Sequence, residues 1–148
     1  MNYLVFLDPD AGELEKILSG TKTMLLKEFD PSQLSEQPVS PGDSLYFLRN
    51  KNERSLRVTA RVVRVLTVMN AEDEGLSHTL KEMQPRLQLT EDQYNLWSCQ
   101  QQVLLVEFDR AQKIDMLQVA AHKTTNLHSW IAFEAFSQIT QEKEELTT

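Results

Sequence analysis

The sequence predicts one α+β domain built around a curved, mostly antiparallel sheet, and three observations lead there. A length of 148 residues suits a single core at ~100 to 200 residues per domain. Short apolar runs that read as strands alternate with segments carrying helix caps and helical apolar spacing. The valine- and arginine-rich stretch Leu56 to Val68 slips its alternation near Val62 and Val63, as a strand does when a bulge bends its sheet. An open α/β sandwich competes, because the opening strand-helix-strand order also permits it.

Taken in order, Tyr3 to Leu7 (YLVFL) reads as a buried strand closed by the Asp8-Pro9 turn. A helix over Ala11 to Ser19 follows. Asp10 can cap its free amides with Glu13 completing a capping box, while Leu14, Ile17 and Leu18 share a face and Gly20 stands where helices end. Thr21 to Lys27 is strand-like. Asp30 to Gly42 holds three of the five prolines and reads as a connection, and Pro41-Gly42-Asp43 turns into the strand Ser44 to Leu48 (SLYFL).

In the Leu56 to Val68 strand, Leu56, Val58, Ala60 and Val62 point one way and Val63 and Val65 the other. A second helix is expected over Glu72 to Met83, with acids at its positive end, Leu76, Leu80 and Met83 on one face, and Pro85 as its stop. Thr90 and Gln93 form another capping box, opening a short helix over Glu91 to Trp97. Val103 to Phe108 (VLLVEF) reads as a central strand. Met116 to Ala121 fits strand or helix equally, and Leu127 to Phe136 reads as an aromatic closing segment with a helical turn. The expected organisation is one domain over residues 1–140 with a helical insertion at about 70–99, then a frayed tail over residues 141–148.

Composition removes several function classes. No apolar run approaches the ~20 residues of a membrane span, so no membrane association is expected. No secretory signal is apparent, and a single cysteine, Cys99, leaves no internal disulfide; the cytoplasm is the expected compartment. The net charge of -7 opposes nonspecific binding to nucleic acid. Against that, Arg49, Lys51, Arg54, Arg57, Arg61 and Arg64 face only Glu53 within their segment, a local balance of +5. Arg57 and Arg61 are four apart and share a strand face. That face is either a solvated strand edge or an anion-binding surface.

The three histidines, His78, His122 and His128, and Cys99 show none of the spacings of a zinc site. No metal or cofactor is expected. Four glycines, none clustered, supply no phosphate loop, and no G-x-S-x-G elbow is present. The compact polar constellation is Gly20, Thr21, Lys22 and Thr23 with Lys27, where the first helix meets the next strand. Glycine lets the chain leave the helix in a left-handed conformation, which presents Lys22 at an edge as a point charge for phosphate or carboxylate. The competing reading is a helix C-cap followed by solvated lysines. Trp97, Trp130 and Tyr46 offer faces on which a base could stack, and each also sits among apolar neighbours that suit a core.

Strand, helix, Gly20-x-Lys22-x-x-x-x-Lys27, then Pro41-Gly42-Asp43 opening an apolar strand resembles the ASCH family of the PUA-like superfamily, whose signature is G-x-K-x-x-x-x-R followed by a G-D turn. Lys27 stands where that family has arginine, which keeps the charge and loses the bidentate fork. The resemblance implies a PUA-like, curved, partly closed barrel with flanking helices and a cleft where the motif meets the barrel mouth. It also implies a ligand that is RNA or nucleotide-like, with Gly20, Lys22, Thr23 and Lys27 as contacts, and the strand face shared by Arg57 and Arg61 is the expected extension.

One branch of the family hydrolyses acetylated cytidine, using the motif lysine, a threonine three residues later and a glutamate. Here that threonine position is Leu25, which has no heteroatom to act as a nucleophile, and Thr23 in a strand points away from Lys22. The expected function is therefore an RNA- or nucleotide-binding module without an assigned catalytic residue. The alternatives are an amidohydrolase acting on an acylated nucleoside and an acidic protein-interaction domain.

Overall fold

The computed structural model describes residues 1–8, 11–28, 39–48, 55–69, 75–118 and 130–133; the side chains of residues 55–57, 69, 116–118 and 131–132 lie outside that description. Six strands, β1 (Asn2–Phe6), β2 (Met24–Glu28), β3 (Ser44–Leu48), β4 (Ser55–Met69), β5 (Gln102–Gln118) and β6 (Trp130–Phe133), form one sheet in the order β2-β5-β4-β3-β1-β6. The pairing of β1 with β3 is parallel and the other four are antiparallel. Three helices accompany it: α1 (Glu13–Leu18), α2 (Gly75–Leu87) and α3 (Glu91–Ser98). The α+β class holds. The edge strands β2 and β6 do not pair with each other, so the sheet is curved but not closed into a barrel.

One apolar cluster fills the concave face. Tyr3, Val5, Leu25, Leu45, Phe47, Val58, Ala60, Val62, Leu104, Val106 and Phe108 bring five strands to it, Leu14 and Ile17 of α1 join them, and Trp130 of β6 packs against it. The opposite face near β2 and β5 is covered by α2 and α3, where Met24, Leu26, Val103 and Leu105 meet Leu76, Leu80 and Leu87. A strand buried on both faces must be apolar at every position, which is why VLLV of β5 does not alternate. Each such leucine or valine removed from water contributes ~1.5 to 3 kcal/mol.

The bulge expected near Val62 and Val63 is present. Between the pairs Val62↔Phe108 and Arg64↔Glu107, β4 advances two residues and β5 one, which makes Val63 the extra residue. Its consequence differs from simple alternation. Val65 packs against the same cluster as Val62, while Val63 is exposed, because the inserted residue restores the inward phase one position later. A second irregularity falls on β5, where Arg110 takes a left-handed φ of 56° between the pairs Thr59↔Gln112 and Arg61↔Asp109.

Several boundaries depart from expectation for identifiable reasons. The N-cap of α1 is Gly12 in a left-handed conformation with no side-chain cap, and Glu13, expected to close a capping box, instead accepts a hydrogen bond from the Asp8 amide at 2.8 Å. Asp10 lies outside the described residues. Pro85 does not stop α2, which continues to Leu87, and the carbonyls at its end are taken up from elsewhere: the Thr23 amide donates to Arg86 O at 3.0 Å and Lys16 Nζ to Gln88 O at 3.1 Å. Residues 130–133 form a strand rather than a helical turn, with Trp130 paired to Val5 and Phe133 to Asn2. Met116 to Gln118 end β5 as strand. The capping box of α3 has both of its hydrogen bonds, Gln93 N to Thr90 Oγ1 at 3.2 Å and Thr90 N to Gln93 Oε1 at 3.0 Å. The expected tail, most of the connection after Asp30, and Arg49, Lys51 and Arg54 lie outside the described residues.

Candidate functional site

The motif loop begins where α1 ends. Gly20 adopts φ +84° with open space around its missing Cβ, so conformation, not crowding, selects glycine there. The Lys16 carbonyl then gathers Ser19 Oγ and Thr21 Oγ1, each at 3.1 Å, and the Lys22 amide at 3.0 Å. That local knot fixes the direction in which Lys22 leaves the backbone.

Lys22 points inward. The expectation of an edge lysine is overturned: the side chain is 1% exposed, its Nζ donates to Leu87 O at the end of α2, and it pairs with Glu13 Oε2 at 3.3 Å. Burial pushes its ammonium below the ordinary value of 10.5, the Glu13 carboxylate pulls it back up, and the Lys16 ammonium adds to the lowering. The other Glu13 oxygen holds the Asp8 amide, and Asp8 Oδ2 accepts from Gln93 Nε2 of α3 at 3.3 Å. Lysines at a helix C-terminus meet the negative end of its dipole. Lys22 and Lys16 thus tie the end of α2 to α1, with the end of β1 and the first turn of α3 in the same network.

Glu13 is the member that sequence reasoning assigns elsewhere, as a helix cap. Its true role needs α1 and the start of β2 side by side, and the sequence offers only an acid nine residues before the motif lysine as a signal. Thr23 is half-buried and tied by its backbone, its carbonyl accepting from the Phe108 amide at 3.0 Å. Leu25 is buried in the concave cluster.

Lys27 is placed differently. It pairs with Leu104 across β2 and β5 and so faces the concave side, as Leu25 does two residues earlier. Its Nζ lies over the Trp130 ring, 5.9 Å from the centroid, within cation-π range. Trp130 sits on the inner face opposite Val5 and meets Tyr3 edge to face at 5.9 Å. Lys27 and Trp130 belong to the two edge strands, so the curvature brings sheet edges that share no hydrogen bond within side-chain contact.

The other expected residues do not converge on this place. Arg61 is exposed on the outer face of β4, opposite in phase to Ala60 and Val62, and the Arg57 side chain lies outside the described residues. Arg64 is paired with Glu107 at 3.1 Å, a carboxylate that also takes Arg86 at 3.4 Å. Tyr46 packs against Phe133 at 5.8 Å on the outer side, and Trp97 packs against the α2 cluster. His78 bonds Glu82 at 2.8 Å on α2. Among the described residues no three His, Cys, Asp or Glu side chains are grouped to hold a metal, and no helix is long and apolar enough to cross a membrane.

No protein-family model and no curated protein matches this sequence. Its fold is nonetheless shared with solved ASCH domain proteins. Two mutant structures of ZmASCH from Zymomonas mobilis align with a TM-score of 0.65 at 14% identity over 99% of this chain, covering 94% and 96% of theirs. The ASCH structure from the same organism aligns with a TM-score of 0.63 at 12% identity, over 98% of this chain and 91% of that one. The chain has an ASCH-like fold.

Proposed function

We propose that this chain is a binding module for RNA or a nucleotide-like ligand, acting in the cytoplasm without turnover. The observation that carries the reading is the juxtaposition of Lys27 and Trp130 at the meeting edges of the sheet. A half-buried aromatic face is a sequence-tolerant platform for a base, and an ammonium beside it supplies the charge a phosphate needs. Lys22, with Gly20 and Thr23, enters this reading as the support of the strand that carries Lys27. Arg57 and Arg61 belong to β4, and Arg61 on its outer face serves at most a longer strand of nucleic acid. Leu25, buried in the core, supplies no nucleophile.

Fluorescence anisotropy with a labelled single-stranded oligoribonucleotide tests this directly. Affinity falls as salt rises, and Lys27→Ala lowers both affinity and the salt slope, the slope by about one. Trp130→Ala weakens binding at every salt concentration. No binding at low ionic strength overturns the reading in favour of a protein-interaction domain.

A further inference from the structure

We propose that Arg64 and Arg86, held by the two oxygens of Glu107 on the outer face of the sheet, form a binding site for a phosphate group. The site is separate from Lys27 and Trp130, which lie on the concave side.

Three elements bring these charges together. Glu107 stands two residues after Leu105 on β5 and opposite Met24, so it leaves on the face that α2 covers, and its oxygens take Arg64 Nε at 3.1 Å and Arg86 Nη1 at 3.4 Å. The bulge in β4 makes the first contact possible. Without the extra residue, Val63 and not Arg64 would stand opposite Glu107, and bulges re-aim side chains in this way beside functional sites. Arg86 is anchored from the other side, since its carbonyl accepts from the Thr23 amide at 3.0 Å.

Each contact uses one guanidinium nitrogen. Arg64 keeps its two Nη groups and Arg86 its Nε and Nη2, and among the described residues neither side chain has another partner. Two adjacent N–H groups are the fork that grips a phosphate through parallel hydrogen bonds. One carboxylate answers two positive charges, and Lys16, bound to Gln88 O two residues beyond Arg86, adds a third. Arg61 and Asp109, opposed across β4 and β5, offset each other. Glu107 thus holds two like charges within the span of a single carboxylate, and both arginines are about half exposed, open to an anion from solvent.

Titration of inorganic phosphate in place of chloride at constant ionic strength, followed through the backbone amide signals of Arg64, Arg86 and Glu107 by NMR, tests the site. The shifts saturate, and Arg64→Gln and Arg86→Gln each weaken phosphate about tenfold. Lys113→Gln, which removes an exposed charge elsewhere on β5, leaves the affinity within about twofold. Dimethyl phosphate distinguishes the source: binding weaker than that of phosphate indicates a terminal phosphate, equal binding indicates a nucleic-acid backbone, and either supports the site. Shifts that grow without saturating, arginine variants that lose nothing, or an equal loss in all three variants overturn it, because diffuse surface charge then accounts for the response. Unchanged signals away from β4 and β5 report an intact fold in each variant.

Discussion

Lys22 and Lys27 belong to one motif and lie five residues apart, yet they meet opposite surroundings. Lys22 is enclosed by Glu13 and the last carbonyls of α2, while Lys27 lies half-buried over an aromatic ring where two sheet edges approach. The first is sealed within the fold; the second keeps part of its side chain open to solvent. A lysine in a signature is thus not by itself a ligand contact. Burial and partners decide its role.

The largest effect expected from this division is on stability. Removing one member of a buried ion pair leaves the other charge in a dry site, which costs about 3 to 5 kcal/mol. Lys22→Ala should show that loss in chemical denaturation. Lys27→Ala, which removes a partly exposed side chain from over the Trp130 ring, should cost less. Equal losses would show that both lysines serve the fold alone.

Next comes the pH dependence of Lys22. Its folded pKa lies below the unfolded value of 10.5, mainly through burial, so between the two values the unfolded chain binds more protons. Stability contributed by this group therefore rises with pH through that window, from the depressed folded pKa up to 10.5. The wild type should gain stability relative to Lys22→Met as pH increases there. A difference that is flat or falls with pH would mean that the Glu13 carboxylate, not burial, governs the lysine.

Much of the fold was legible because its signals are local. Ser44 to Leu48 reads as a strand from its own residues and is one. Thr90 and Gln93 announce a helix start that depends on nothing beyond four residues, and the bulge shows in the broken alternation at Val62 and Val63. The misreadings share one cause. Pro85 fails as a stop within a helix whose end is held by Lys16 and Thr23, both remote in sequence; Lys22 fails as an edge lysine because α2 closes over it. Trp130 could be read as a stacking residue or as core, but not as the neighbour of Lys27, since that contact exists only after the sheet curves. Local chemistry reads well from sequence, and chemistry made by long-range packing does not.

Gln93 tests how far the Lys22 network extends. It closes the capping box of α3 and also reaches Asp8, whose amide is held by Glu13. Gln93→Ala should cost about 1 kcal/mol, as loss of a helix cap does. In a double-mutant cycle with Lys22→Ala the losses should fall short of or exceed their sum by more than ~0.5 kcal/mol, because residues in one network do not act independently. Strict additivity would confine the network to α1 and α2.

The smallest effect is expected where a similar arrangement stands in water. Glu107 receives Arg64 and Arg86 much as Glu13 receives Lys22 with Lys16 nearby, but both arginines are about half exposed. Water solvates these charges in the folded and unfolded states alike, so little Coulomb energy survives, and ordering the long side chains consumes part of it. Arg64→Ala should change stability by less than about 1 kcal/mol. Added salt should shrink that change further, since exposed charges are screened. The Lys22→Ala loss, sealed from the ions, should hold nearly constant over the same range. Thermal denaturation of both variants across a salt series makes the comparison; a Lys22 loss that fades with salt as the Arg64 loss does would show that water reaches the buried pair.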